Sequence, residues 1–175
     1  MSILKSSVLT CSFLSLLATP ALAEHHEKEG AIAKLEATEG NSVQGTVTFT
    51  QGDKGVDVIG EISGLTPGKH GFHVHEKGDC SAKDGTSAGG HFNPQGVAHG
   101  GPDSDTKHVG DMGNVVADAN GFAMIDTTFH MLSLEGEHSI IGKGLIVHAG
   151  VDDLHSQPTG DAGARVACGV IKASH

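Results

Sequence analysis

Gly71-Phe72-His73-Val74-His75-Glu76 is the run on which the reading of the fold turns. Side chains two residues apart on an extended strand project to the same face, so His73 and His75 share one side and Val74 takes the other. Seven further segments carry β-like runs between turn signals: residues 31–38, 43–51, 56–62, 114–118, 122–128, 145–149 and 165–172. The turns have their own chemistry, since Glu39-Gly40-Asn41, Gly52-Asp53, Leu65-Thr66-Pro67-Gly68 and Asn120-Gly121 supply residues that tolerate positive φ or preset a bend. No segment holds a 3.6-residue apolar stripe long enough for a substantial helix. The expectation is an all-β domain.

Two long glycine-rich connections interrupt the strands, at about 76–113 and 150–164. Loops of this length inside a compact domain are usually functional or disordered. Metal binding would account for their order, because binding free energy offsets the entropy of fixing the chain.

The first 23 residues contain one charge, Lys5, an apolar stretch from Val8 to Leu17, and Ala21-Leu22-Ala23 ahead of a polar run. That layout reads as a secretory signal peptide (1–23) cleaved after Ala23, with 24–175 as a single domain of 152 residues. A retained anchor fits less well, because the apolar stretch is short and serine-rich. Glu24-His25-His26-Glu27-Lys28-Glu29 reads as a polar terminus. Cleavage removes Lys5 and takes the formal charge from −10 to −11. With no basic patch, Trp or Tyr, nucleic acid is excluded as a partner. An acidic chain has little attraction for anionic lipid either, so no membrane association is expected after cleavage.

Cleavage also removes Cys11 and leaves Cys80 and Cys168 in a chain bound for an exported compartment. One disulfide is the expectation, with two unpaired thiols as the alternative.

On the strand Leu145-Ile146-Val147-His148 the histidine shares a face with Ile146 and could add a nitrogen to the His73/His75 pair. An H-x-H pair alone is weak evidence. Seven residues separate His91 from His99, eight separate His99 from His108, and two separate His108 from Asp111. Three imidazoles and one carboxylate make a closed tetrahedral set suited to structural zinc. If His91 also serves the first site, then His73, His75, His91 and His148 give four nitrogens suited to tetragonal Cu(II). One imidazolate would join the two ions.

The motifs GFHVHEKGD (71–79), TSAGGHFNP (86–94), HGGP (99–102), KHVGDMGNV (107–115), IIGKGLIVHAGVDDL (140–154) and GARVACGVI (163–171) resemble those of copper/zinc superoxide dismutases. With its export signal the chain resembles the secreted, periplasmic bacterial branch. The resemblance implies an eight-stranded Greek-key β-barrel, an immunoglobulin-like sandwich with two long functional loops. It implies one copper per subunit on His73, His75, His91 and His148, and one zinc on His91, His99, His108 and Asp111. Cys80 and Cys168 match the family disulfide. Arg165 matches the arginine that docks a small anion, and Asp152 the carboxylate that orients one histidine of each set. The implied activity is dismutation of superoxide to dioxygen and hydrogen peroxide as antioxidant defence, with His91 both ligand and proton donor.

Three departures from eukaryotic relatives carry expectations. Cys80 lies only five residues after His75 and is followed by an extra stretch, 81–85. The second loop contains no lysine or glutamate, which leaves Lys83 in the extra stretch as a candidate steering charge. Lys172, His175 and Lys77 stand where eukaryotic relatives pair, so a homodimer would need another face. A copper carrier or zinc buffer on the same fold would be expected to lose a copper ligand or the arginine. A purely adhesive sandwich would not explain the seven matched ligands.

Overall fold

The computed structural model describes residues 29–174. The proposed signal peptide and its cleavage point, together with His25, His26 and His175, lie outside the described residues. Eight strands form in chain order: β1 (Gly30–Ala37), β2 (Gln44–Gly52), β3 (Gly55–Ser63), β4 (Gly68–His75), β5 (Asp111–Ala117), β6 (Ala123–Phe129), β7 (Gly144–His148) and β8 (Arg165–Ser174). One 3-10 turn, Thr86–Ala88, lies in the first long connection. All pairings are antiparallel, in the order β5-β4-β7-β8-β1-β2-β3-β6. The sheet curls until its two edge strands, β5 and β6, lie near one another without pairing, which makes a nearly closed barrel.

Alternation fills the interior. Ala31, Ala33 and Leu35 of β1, Val47 and Phe49 of β2, and Val56, Val58 and Ile62 of β3 point inward and are buried. Phe72 and Val74 of β4, with Leu145 and Val147 of β7, join the same core. A cluster of this size is the main source of stability, at roughly 1.5–3 kcal/mol per large apolar side chain removed from water.

β4 and β7 are buried on both faces. The outer face of β7 explains why, since Ile146 packs against Ala88 and Cys80 of the loop that covers it and against Cys168 of neighbouring β8. His73, His75 and His148 therefore sit between the barrel and its two long connections, away from solvent.

Each strand begins within three residues of its sequence expectation. β4 and β5 each start three residues early, at Gly68 and Asp111, and the early start of β5 makes the first long connection shorter than expected. Asp111 pairs with His73 across a bulge in the β4/β5 ladder. Gly113, at φ 74°, breaks the strand pattern two residues later, which makes this stretch read as loop. The disulfide expectation holds: Cys80 and Cys168 are bonded, with Cα atoms 5.8 Å apart and 88 residues between them in sequence.

Candidate metal centre

The first connection does not wander free of the barrel. Phe92 N–H donates to the Val74 carbonyl (2.8 Å), Glu76 N–H to that of Gly90 (2.9 Å), and Gly110 N–H to that of Phe92 (2.9 Å). These bonds lay His91 antiparallel beside His75. The rings of His73 and His91 come within 4.1 Å, centre to centre, and those of His73 and His148 within 5.0 Å.

Every one of the six histidines spends one ring nitrogen on a protein acceptor or on the Asp111 carboxylate. His73 Nε2 donates to Asp152 Oδ2 (2.8 Å), His75 Nδ1 to the Gly89 carbonyl (2.9 Å), and His148 Nδ1 to that of Gly163 (3.1 Å). His99 Nε2 donates to Asp152 Oδ1 (3.0 Å) and His108 Nε2 to the Val97 carbonyl (3.1 Å). His91 Nδ1 lies 2.7 Å from Asp111 Oδ1. An acceptor fixes the proton on the nitrogen facing it and leaves the lone pair on the other.

The nitrogens left over are His73 Nδ1, His75 Nε2, His91 Nε2, His99 Nδ1, His108 Nδ1 and His148 Nε2, all buried without a hydrogen-bond partner. Six orphaned polar atoms in one place would be costly unless something binds them. They fall into two sets. One atom from each of His73, His75, His91 and His148 lies within 4.8 Å of the others, and the same holds for His91, His99, His108 and Asp111. Asp111 Oδ1 faces the Nδ1 atoms of His91, His99 and His108 at 2.7, 3.0 and 3.1 Å. Its Oδ2 is held by the N–H groups of Gly100 and His108 at 3.0 and 2.8 Å. The donors fit two ions, a four-nitrogen set suited to copper and an N3O set suited to zinc.

Burial holds His75, His91 and His148 well below the ordinary imidazole range, and neighbouring histidines add to the shift. His91 falls to about 4 and His148 to about 3. Burial also works against a charged His99, but the Asp111 and Asp152 carboxylates beside the ring outweigh it and raise the ring to about 9. For Asp111 burial again opposes the charge, and the facing rings of His108, His91 and His99 overcome it and hold the carboxyl far below its usual range.

These shifts set the pH response of the metal-free protein. A histidine with a depressed pKa binds its proton in the unfolded chain first, so stability is lost as pH falls from the unfolded value near 6.5 toward the folded one. His99 acts in the opposite sense, with its contribution present below 6.5 and lost as pH rises through about 9. Three depressed rings against one raised ring predict that metal-free protein loses urea resistance between pH 6.5 and 4. Titration of the urea midpoint checks this, and a flat midpoint over that window would contradict it.

Arg165 begins β8 opposite His148. Its Nη1 and Nη2 donate to the carbonyls of Gly85 (2.6 Å) and Gly89 (2.5 Å). Gly89 thus accepts from both Arg165 and His75, which ties the guanidinium to the four-nitrogen set. Its charge helps hold down the basicity of His75 and His148. The Lys83 ammonium is exposed and lies 2.6 Å from Glu39 Oε1.

Other contributors are not evident from sequence. His70, only 3% exposed, directs Nδ1 at the His148 carbonyl (2.9 Å) and Nε2 at the Thr66 carbonyl (2.8 Å), linking the β3–β4 turn to the end of β7. Asn114 grips the Asp152 backbone at both ends, accepting from its N–H (2.8 Å) and donating to its carbonyl (2.9 Å). Gly160, at φ 69°, lies so close to Asp152 Oδ1 and His99 Nε2 that a Cβ there would collide with both. Asn114 falls inside a recognisable motif, but spacing does not reveal what its amide holds.

A family model described as copper/zinc superoxide dismutase matches residues 43–171. An extracellular Cu-Zn superoxide dismutase of Brugia pahangi is 48% identical over 153 residues, covering 82% of this chain and 76% of that protein. A Cu-Zn superoxide dismutase of Paramecium bursaria Chlorella virus 1 is 50% identical over 149 residues, 81% of this chain and 76% of that protein. Among solved structures, that of the clock protein EA4 superposes with a TM-score of 0.76 at 48% identity, covering 83% of this chain and 94% of that one.

Proposed function

The chain belongs to the copper/zinc superoxide dismutase family, and from that membership we propose how its own residues carry the reaction. The activity is dismutation of superoxide to dioxygen and hydrogen peroxide with copper and zinc. Bound copper supplies the one-electron redox change, which zinc cannot, and zinc supplies fixed charge and local structure.

His73, His75, His91 and His148 hold copper, and His91, His99, His108 and Asp111 hold zinc. The observation that carries this reading is the set of six buried, unpartnered ring nitrogens. Asp152 orients His73 and His99 through its two oxygens. Arg165, anchored on two carbonyls, presents the remaining edge of its guanidinium to an incoming anion. His91 takes a proton on Nε2 and returns it to the product between successive substrate molecules. Metal analysis with a dismutation assay tests the assignment. One copper and one zinc per mature chain are expected, with activity lost when copper is chelated out, and full activity without copper would overturn it.

Residues 1–23 act as the export signal in this reading, and the mature chain works outside the cytoplasm. Extracellular relatives and the Cys80–Cys168 bond support secretion. The bacterial, periplasmic assignment rests on the placement of Cys80, the extra stretch 81–85 and the export signal. Among the described residues no helix is long and apolar enough to cross a membrane. Lys77 and Lys172 are poor candidates for an interface core, so a homodimer of the mature chain would use another face, and sedimentation distinguishes it from the monomer.

Lys83 is the steering charge of the extra stretch. Its pairing with Glu39 leaves the long-range effect of removing it intact, since either way the local charge falls by one. Lys83→Ala is expected to lower the bimolecular rate about twofold at ~10 mM salt and not at ~0.5 M, where screening is complete. Glu39→Gln should do the reverse. Equal rates for all three proteins at low salt would sink the idea.

A further inference from the structure

His99 lies in a stretch of the first connection without regular structure, and among the described residues neither its N–H nor its carbonyl has a main-chain partner. Both are taken by one side chain from the other loop. Gln157 Oε1 accepts from His99 N–H at 2.8 Å, and Gln157 Nε2 donates to the His99 carbonyl at 3.0 Å. The same Nε2 donates to the His155 carbonyl at 3.0 Å, which fixes the amide within its own loop. The carboxamide thus replaces a neighbouring strand, offering an acceptor and a donor in the spacing an antiparallel partner would supply.

The second loop holds His99 at a further point, where Asp152 Oδ1 accepts from ring Nε2 at 3.0 Å. Backbone and ring are therefore fixed independently, and His99 Nδ1 is left 3.0 Å from Asp111 Oδ1. We propose that Gln157 is a positioning residue for zinc: its amide latches the His99 main chain between the two loops and so sets how long His99 stays on the ion. This rests on the assignment of His99 to the zinc set. Asp152 restrains only the ring, so with the latch gone the 92–110 stretch can swing His99 away about its backbone. Gln157 itself is exposed, so water competes for its bonds. The latch therefore acts on the rate at which His99 leaves rather than on the stability of the barrel.

Two variants test this on the mature, metal-loaded protein. Gln157→Met keeps the length of the side chain and loses all three hydrogen bonds. Gln157→Asn keeps the amide but is one methylene too short to reach. Both are expected to release zinc to a chelating dye about tenfold faster than the native chain, the lower end of what outer partners of metal ligands contribute. Melting of the metal-free proteins should be unchanged, which a merely structural role would not produce. Hydrogen exchange at the His99 amide, slow in the native protein, should quicken in both. Equal zinc-release rates would overturn the latch, and so would fast exchange at His99 in the native chain, a measurement that needs no variant. If the native chain takes up no zinc, the ligand assignment fails instead.

Discussion

His148→Ala is expected to abolish copper retention and lower dismutation by more than about a hundredfold, with zinc still near one ion per chain. Even residues that merely support a metal ligand contribute about 10- to 100-fold to affinity or activity, so loss of a ligand should exceed that range. His148 reaches the site from β7, while His73 and His75 come from β4 and His91 from the first connection. Removing it leaves three of the four nitrogens. The zinc set contains no atom of His148, so with zinc supplied in excess, enough to offset any affinity lost along with copper, its occupancy is the internal control. Copper and zinc analysis beside the activity assay gives the result, and persistent activity would count heavily against copper at this position.

Loss of the Cys80–Cys168 bond should produce the largest effect on stability. Joining residues 88 apart removes loop-closure entropy from the unfolded chain worth about 4–5 kcal/mol on the chain-entropy model. For a domain of this size that corresponds to a fall in Tm of roughly 10 °C or more. Calorimetry of metal-loaded Cys80→Ser/Cys168→Ser protein measures it, and a shift within about 2 °C would contradict the argument. Activity should fall as well. Cys80 anchors the loop whose Gly85 and Gly89 carbonyls hold the Arg165 guanidinium, and Cys168 lies three residues beyond Arg165 on β8.

The barrel was legible in the sequence because alternation is a local property. β1, β3 and β6 carry period-two runs bounded by turn residues, β7 reads as a short apolar run, and the parity of His73, Val74 and His75 separates Val74, which lies in the core, from the two histidines. The grouping of the six histidines with Asp111 was legible because their spacing is dense and chemically distinctive. Partners joined across long separations were not. Nothing near Lys83 in sequence points to Glu39, 44 residues away, and nothing near His70 points to the His148 carbonyl. Asn114 and Gln157 act through side-chain amides on main-chain groups, so their roles depend on loop paths that no residue pattern encodes. The early start of β5 was hidden for a related reason, since Gly113 imitates a loop residue inside a strand that has already begun.

Asp152 touches His73 of one set with one oxygen and His99 of the other with its second. With copper and zinc held as proposed, a carboxylate shared in this way would make the two ions thermodynamically linked. Whatever binding at one set contributes to ordering Asp152 no longer has to be supplied by the other. The cooperativity is reciprocal: if zinc strengthens copper binding by some factor, copper must strengthen zinc binding by the same factor. Metal uptake by this chain is then one coupled equilibrium, in which half-loaded species are underrepresented relative to two independent sites.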